Sequence, residues 1–204
     1  MNPIWNVVSV VTAGMVFTRH APDAANVYLT FDDGPHPEHT PPLLELLARY
    51  DARATFFMLG ASVKPQESVV RQVVAAGHTW GNHSYSHPSF VNIPMQRQAQ
   101  EIDRTNELLA SFDGRPRHLF RPPRGRPALG TLALCLRRRH RIALWTHDSC
   151  DYALDRSQVV KLLAGTHVVR GDILLFHDDG GVARAALETL LPLWQASGLK
   201  FAAL

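Results

Sequence analysis

Lysine, cysteine and long apolar runs are all scarce in this chain of 204 residues, and each scarcity excludes a class of protein. The net charge of +3 is carried almost wholly by arginine, and it is too small to indicate a nucleic-acid partner. Two cysteines are too few for a disulfide framework. An apolar content of 46% and a charged content of 19% are instead typical of a globular domain with a full hydrophobic core.

The N-terminal stretch, residues 1–20, is mildly apolar, but no basic residues precede it and Asn6, Ser9 and Thr12 interrupt it. This pattern matches a signal peptide poorly and is too short and polar for a membrane span. We therefore expect residues 1–25 to form an N-terminal extension and residues 26–204 to form a single catalytic domain. We also expect the protein to be cytoplasmic rather than secreted. No pattern indicates an oligomeric state.

Short β-like runs alternate with amphipathic segments from residue 26 onward. The pattern predicts strands or extended pieces at 26–31, 54–59, 78–80, 118–120, 142–146, 172–176 and 200–203. Helices are predicted at 43–50, 67–76, 96–112, 127–139, 158–164 and 184–196. This alternation is typical of an α/β fold with a mostly parallel sheet, which is either open and doubly wound or closed into a barrel.

Chemically versatile side chains follow the predicted strands. In chain order they are Asp32 and Asp33, His83 and His87, Arg121, Asp148 and Asp151, and His177. The carboxyl ends of parallel strands meet at one edge of a sheet, where active sites of α/β folds assemble. We therefore expect these residues to form one site.

His83 and His87 are spaced four residues apart, close enough to bind one ion if the turn between them is helical. Two imidazoles and one carboxylate, with a position left open for water, form a common catalytic zinc site. The spacing is similar to that of the zincin helix motif, but Ser84 stands where that motif has glutamate. Any general base must therefore come from elsewhere. The alternative is that both histidines are surface or capping groups beside Pro88.

The neighbouring carboxylates of Asp32 and Asp33 would disfavour each other's ionisation unless a cation lay between them. One could complete the metal site while the other acts as base towards a metal-activated water. The alternative is a simple turn or helix cap before Gly34 and Pro35, which explains one aspartate more readily than two.

His177 follows the apolar residues 173–176, so its ring would lie near the apolar floor of the site. It could be a general acid for a leaving group, or a core histidine that is hydrogen-bonded to backbone. Asp148 or Asp151 could orient it, and Arg121 could steady the basic aspartate.

Six motifs together resemble the polysaccharide deacetylase family, also known as the NodB-homology domain or carbohydrate esterase family 4. They are TFDDGP (30–35), ATFF (54–57), GNHSYSH (81–87), RPPRG (121–125), DSCDY (148–152) and LLFHD (174–178), in the order the family has them. The resemblance covers residues 26–204. It implies a distorted (β/α) barrel and metal-dependent removal of acetyl groups from N-acetylglucosamine units.

The resemblance also implies roles for individual residues. Asp33, His83 and His87 would hold one divalent ion, by default Zn²⁺, although Co²⁺ or another divalent ion would suit the same ligands. Asp32 would be the general base held by Arg121, and His177 the general acid tuned by Asp151. Substrate contacts would come from Pro123, Arg124, Tyr152 and Leu175, with Leu175 lining the acetyl pocket.

Two positions depart from the family pattern. Arg124 replaces the usual tyrosine, at the position whose backbone N–H is thought to face the oxyanion. The backbone donor survives this change, but the added charge could alter substrate choice. Tyr152 replaces the usual tryptophan and still offers an aromatic wall for a sugar.

The main hypothesis is thus an N-deacetylase acting on chitooligosaccharide or peptidoglycan-type chains. The acetylated carbohydrate would be its partner, with neither nucleic acid nor a membrane span involved. One alternative keeps the site and changes the substrate, to an O-acetyl ester such as acetylated xylan or to another amide. A second alternative is a catalytically silent carbohydrate-binding domain.

Overall fold

The computed structural model describes residues 14–20 and 26–204. Its strands are mostly short. They are β1 (Val16–Phe17), β2 (Val27–Asp32), β3 (Thr55–Met58), β4 (Thr79–Asn82), β5 (Ile142–Ala143), β6 (His147–Asp148), β7 (Ile173–His177) and β8 (Phe201–Ala202). The helices are α1 (Thr40–Arg49), α2 (Gly60–Val63), α3 (Glu67–Ala75), α4 (Met95–Asp113), α5 (Leu129–Arg138), α6 (Arg156–Ala164) and α7 (Val182–Ala196).

The strands form parallel ladders in the order β4-β3-β2-β7-β6, and β8 pairs with the start of β2. A second parallel pair joins β1 to β5. Single bridges connect Phe120 to both β4 and β5, and Arg19 to the residue before β7. The strands therefore curve into a distorted ring that is interrupted where only single bridges connect them. This confirms the predicted α/β fold with mostly parallel strands.

The long central strand β2 is buried along its whole length: Val27, Leu29 and Phe31 share one apolar core with α1 and α7, and Thr30 and Asp32 contact Arg121. Helices α1 and α7 contribute leucines at helical spacing to the same core, including Leu43, Leu47, Leu187 and Leu190. A second, smaller cluster around Phe120 and Ile142 fills the space beneath β5. The core therefore fixes β2, whose carboxyl end carries both aspartates. None of the described helices has the length and apolar character needed to cross a bilayer.

Several predicted elements differ from those observed. The predicted strand at 118–120 is reduced to single-residue bridges from Phe120 to β4 and β5, and the strand predicted at 142–146 ends at Ala143. The carbonyl groups of Ala143 and Leu144 accept hydrogen bonds from the Arg121 side chain, at 3.0 Å each. A side chain thus replaces a neighbouring strand at this point.

Part of the predicted N-terminal extension belongs to the fold. Val16 and Phe17 pair in register with Ile142 and Ala143, although residues 1–13 and 21–25 lie outside the described part of the chain. The prediction that residues 1–20 form neither a signal peptide nor a membrane span concerns mainly those undescribed residues.

Candidate active site

Three potential metal ligands meet beyond the ends of β2 and β4. The Nε2 atoms of His83 and His87 each lie 3.5 Å from Oδ1 of Asp33. One ligand atom from each residue falls within 4.8 Å of the others. The Asp33 Oδ1 atom is buried and has no hydrogen-bond partner in the described part of the chain. A buried carboxylate oxygen that faces two imidazole nitrogens and lacks a donor fits a cation position.

The hydrogen bond of His83 prepares its ring as a ligand. The Nδ1 atom lies 2.8 Å from the carbonyl oxygen of Arg121, so Nδ1 carries the proton and Nε2 keeps its lone pair. Burial lowers the pKa of His83 to about 3, against a weaker opposing effect of Asp33. The ring is therefore neutral at ordinary pH, which is the form that binds metals.

The loop between the two histidines is not helical. The prediction that a helical turn is needed to bring both histidines to one ion is therefore wrong. Ser84 and His87 have positive φ angles of 69° and 55°, which bend the loop until both rings face Asp33. The Ser84 Oγ atom accepts a hydrogen bond from the backbone N–H of His87 at 3.1 Å. Ser84 therefore stabilises the loop from the position where the zincin motif has glutamate.

Glu101 on α4 anchors the same loop and was not predicted from the sequence. Its carboxylate is buried and accepts hydrogen bonds from the backbone N–H groups of Tyr85, at 3.0 Å, and Ser86, at 2.7 Å. The Ser86 hydroxyl also donates to it, and Arg97 forms an ion pair with it at 2.8 Å. A glutamate within an amphipathic helix gives no sign of this role, because the contact joins elements distant in sequence.

Asp32 is held by Arg121 from beneath the site. The Nη1 atom of Arg121 lies 2.7 Å from Oδ1 of Asp32 and 2.8 Å from the hydroxyl of Thr30. Both charged side chains are buried, and the guanidinium also packs 4.1 Å from the centre of the Phe57 ring. Burial raises the pKa of the Asp32 carboxyl above its usual range, while Arg121 and His177 oppose that rise. A carboxylate with a raised pKa is a stronger base than a free aspartate.

His177 lies opposite Asp32 in the register of the neighbouring strands β7 and β2. Its Nδ1 atom is 2.7 Å from Oδ1 of Asp151, and its backbone N–H donates to Oδ2 at 2.8 Å. Burial acts to lower the pKa of His177, but the hydrogen bond to Asp151 and the nearby Asp32 raise the pKa to about 9. The imidazolium form therefore dominates at neutral pH and could donate a proton.

One cavity of about 510 Å³ joins these groups. Of the predicted substrate contacts, Arg124, Tyr152 and Leu175 line it, whereas Pro123 is buried within the turn that carries Arg124. Trp145 and Arg126 also line the cavity and were not predicted as site residues. Trp145 lies near the end of the predicted strand 142–146, and Arg126 lies two residues beyond Arg124. These positions could have identified both residues from the sequence.

Left-handed backbone is concentrated at this edge of the fold. Of the seven non-glycine residues with positive φ in the described chain, five lie in the loops around the cavity: Asp33, Ser84, His87, Arg124 and Cys150. Such conformations persist only where the surrounding structure imposes them, and they cluster at functional sites.

One face of the α/β fold carries a candidate base, a candidate acid and a histidine–aspartate cluster that could bind a metal. This arrangement is typical of a hydrolase. Comparison with known proteins narrows this class. Residues 19–136 match the family model described as polysaccharide deacetylase, and the chain belongs to this family.

The relatives cover most of the chain. A peptidoglycan-N-acetylglucosamine deacetylase of Bacillus cereus is 30% identical over 184 residues, which are 88% of this chain and 67% of the relative. A chitooligosaccharide deacetylase of Azorhizobium caulinodans is 32% identical over 196 residues, with 88% of this chain and 93% of the relative covered. The crystal structure of a peptidoglycan N-acetylglucosamine deacetylase matches with a TM-score of 0.89 and 28% identity, and covers 98% of this chain and 95% of that chain.

Proposed function

We propose that this protein is a metal-dependent deacetylase that hydrolyses N-acetyl groups on N-acetylglucosamine units of chitooligosaccharide or peptidoglycan-type chains. One observation carries the proposal. The ligand cluster, the candidate base Asp32 and the candidate acid His177 all line a single cavity in a chain of the polysaccharide deacetylase family. The relatives' named substrates support the choice of sugar.

Asp33, His83 and His87 would hold the cation. Two imidazoles and one carboxylate are a common zinc ligand set, and Zn²⁺ is the ion we propose, with Co²⁺ or another divalent ion able to replace it. A cation bound there supplies Lewis acidity towards the acetyl carbonyl and makes a nearby water more acidic.

Asp32 would take a proton from the attacking water while the new C–O bond forms. Its Oδ1 atom is occupied by the hydrogen bond from Arg121, so the proton would go to Oδ2. The Oδ2 atom lies 3.6 Å from Nε2 of His83, on the side of the ligand cluster. Arg121 therefore positions the base and leaves the reactive oxygen facing the site.

His177 would donate a proton to the amide nitrogen as the C–N bond breaks, because an amine anion is a poor leaving group. Its Nδ1 atom is engaged by Asp151, so the proton would leave from Nε2. The products are acetate and a free amino sugar. Leu175 would contact the acetyl methyl group, Tyr152 the sugar ring, and the backbone N–H of Arg124 the developing oxyanion.

Acetate release from N-acetylglucosamine oligomers tests the proposal. We expect turnover by metal-loaded protein, loss of turnover after chelation, and recovery when Zn²⁺ or Co²⁺ is added back. His87→Gln should lower the metal content and the rate, whereas His167→Gln, at an exposed histidine on another face, should change neither. Full activity after thorough removal of metal would contradict the metal role.

An ester substrate, such as acetylated xylan, is assayed on the same preparation. Faster ester than amide turnover would favour an O-acetyl esterase on the same site. If metal-loaded protein releases acetate from neither amide nor ester, the proposed activity is wrong and a sugar-binding role explains the fold better.

A further inference from the structure

The lining of the active-site cavity carries charges of both signs. Arg124 and Arg126 line it together with Asp148 and Tyr152. The Tyr152 ring lies edge-on to His177, with ring centres 5.3 Å apart, so Tyr152 adjoins the candidate acid. A substrate that enters the cavity would therefore meet guanidinium groups as well as carboxylates.

The two arginines have no charged partner. Both side chains are exposed, and neither forms an ion pair or side-chain hydrogen bond within residues 14–20 and 26–204. The neighbouring carboxylates have other partners: Asp32 pairs with Arg121, Asp151 pairs with His177, and Asp148 accepts hydrogen bonds from the backbone N–H of Cys150 and the hydroxyl of Tyr152. The guanidinium groups of Arg124 and Arg126 are therefore available to a ligand.

The turn that carries these arginines is held firmly. The backbone N–H of Gly125 donates to the carbonyl oxygen of Pro122 at 2.9 Å, and that of Arg126 donates to Pro123 at 3.3 Å. A Cβ atom at Gly125 would lie 2.4 Å from the Trp145 ring, so the backbone packs directly on a residue that lines the cavity. Little ordering of the backbone would be needed when an anion binds.

A neutral N-acetylglucosamine polymer has no group that needs two guanidinium ions. Arginine binds carboxylates through paired, charge-assisted hydrogen bonds, and its planar group suits that geometry. We infer that Arg124 and Arg126 form a subsite for a carboxylate on the sugar next to the one that is deacetylated, so that the preferred substrate is an acidic glycan. This inference rests on the proposed deacetylase function and adds the charge of the substrate to it.

Three oligosaccharides of equal length test the inference. The first alternates N-acetylglucosamine with N-acetylmuramic acid that has a free carboxylate, the second is its methyl ester, and the third is a neutral N-acetylglucosamine oligomer. We expect kcat/KM for the free acid to exceed that for the methyl ester by about tenfold, mostly through KM. High salt should reduce this ratio, because exposed charges are screened.

Substitution then assigns the effect to the two residues. In Arg126→Gln the ratio of acid to ester should fall, and in the double variant R124Q/R126Q it should approach unity. Arg137→Gln removes the same charge from the exposed end of α5 and should keep the ratio. Equal rates on acid and ester by the wild type, or a ratio that persists in R124Q/R126Q, would overturn the inference.

The outcomes separate the inference from the proposed function. Turnover of the neutral oligomer without preference for the acid leaves the deacetylase function intact and removes the carboxylate subsite. Failure of metal-loaded wild type to release acetate from any of the three oligosaccharides removes both.

Discussion

The guanidinium of Arg121 and the carboxylate of Asp32 form a buried ion pair, with 2.7 Å between Nη1 and Oδ1, at the floor of the candidate site. The same guanidinium donates to the carbonyl oxygens of Ala143 and Leu144, so it joins the end of β2 to the chain that leaves β5. A single side chain thus connects the position of the base with the packing of the sheet.

Arg121→Met should weaken both stability and activity. The substitution leaves Asp32 buried without its partner, and breaking a buried pair in this way costs about 3–5 kcal/mol in the free energy of unfolding. Urea titration measures that loss, and acetate release should fall in parallel. In the double variant R121M/D32N no charge remains unpaired, so we expect it to unfold at higher urea than R121M. Equal midpoints for these two variants would show that the ion pair is not the cause.

The substitutions Asp32→Asn and Asp33→Asn should both lower activity, but for different reasons. Asparagine is close in shape to aspartate and tolerates the positive φ angle of 74° at Asp33, so both variants should fold. Asp32→Asn removes the base and should lower kcat by about 10²–10⁴-fold while metal content stays near that of the wild type. Asp33→Asn removes a ligand, so metal content after dialysis should fall and added metal should restore part of the rate. Loss of metal in Asp32→Asn would contradict the assigned roles.

The pH profile of activity should respond to Asp151. His177 must be protonated to act as an acid, and its raised pKa of about 9 keeps it protonated through neutral pH. Activity should therefore fall as pH rises through about 9, and Asp151→Asn should move that fall to lower pH, because the hydrogen-bonded carboxylate is lost. Rates measured across the alkaline range check this. An alkaline limb that does not move in Asp151→Asn would show that His177 is not the group that limits activity there.

The residues at strand ends were predictable, because their type and their place in the alternation both indicate chemistry. Asp33, His83 and His87 came together as expected, and so did the pairs Arg121–Asp32 and His177–Asp151. The alternation of apolar runs with helical periodicity also identified most helices to within a few residues.

What escaped prediction depends on contacts between distant segments. Glu101 reaches the histidine loop from the first half of α4, and the ring of Trp145, which lines the cavity, packs directly against Gly125. The strand β6 at His147–Asp148 follows from pairing with β7, since its own two residues carry no strand pattern. The family resemblance also placed Pro123 at the substrate, whereas the fold buries it in its turn.

Asp178 supplies a prediction about stability that is independent of catalysis. Its side chain is buried next to Gly34, where an added Cβ would lie 2.2 Å from either carboxylate oxygen. Thr40 donates a hydrogen bond to Oδ2, while Oδ1 has no partner in the described residues. Burial raises the pKa of Asp178 to about 7, despite the opposing bond from Thr40.

The sign of the effect follows from proton binding. In the unfolded chain the pKa of Asp178 is near the ordinary aspartate value of 3.8, whereas in the folded protein burial raises this pKa to about 7. The folded state therefore binds the extra proton between these values, and this residue's contribution makes the free energy of unfolding fall as pH rises through that window. Below the window both states are protonated and above it both are ionised, so the contribution is constant at either end.

Asp178→Asn should remove this dependence. The buried amide changes the free energy of unfolding by an amount that does not vary with pH. The informative quantity is therefore the change with pH in the difference between the unfolding free energies of variant and wild type. We expect the free energy of unfolding of the variant, relative to that of the wild type, to rise by on the order of a few kcal/mol between about pH 4 and about pH 7. Urea titrations at both pH values measure the gain. Asp51→Asn, at a side chain with 99% exposure, is the matched control and should show little change. A difference that stays constant across this range would mean that Asp178 is already ionised in the folded protein at low pH, and that the buried network around Thr40 stabilises the charge.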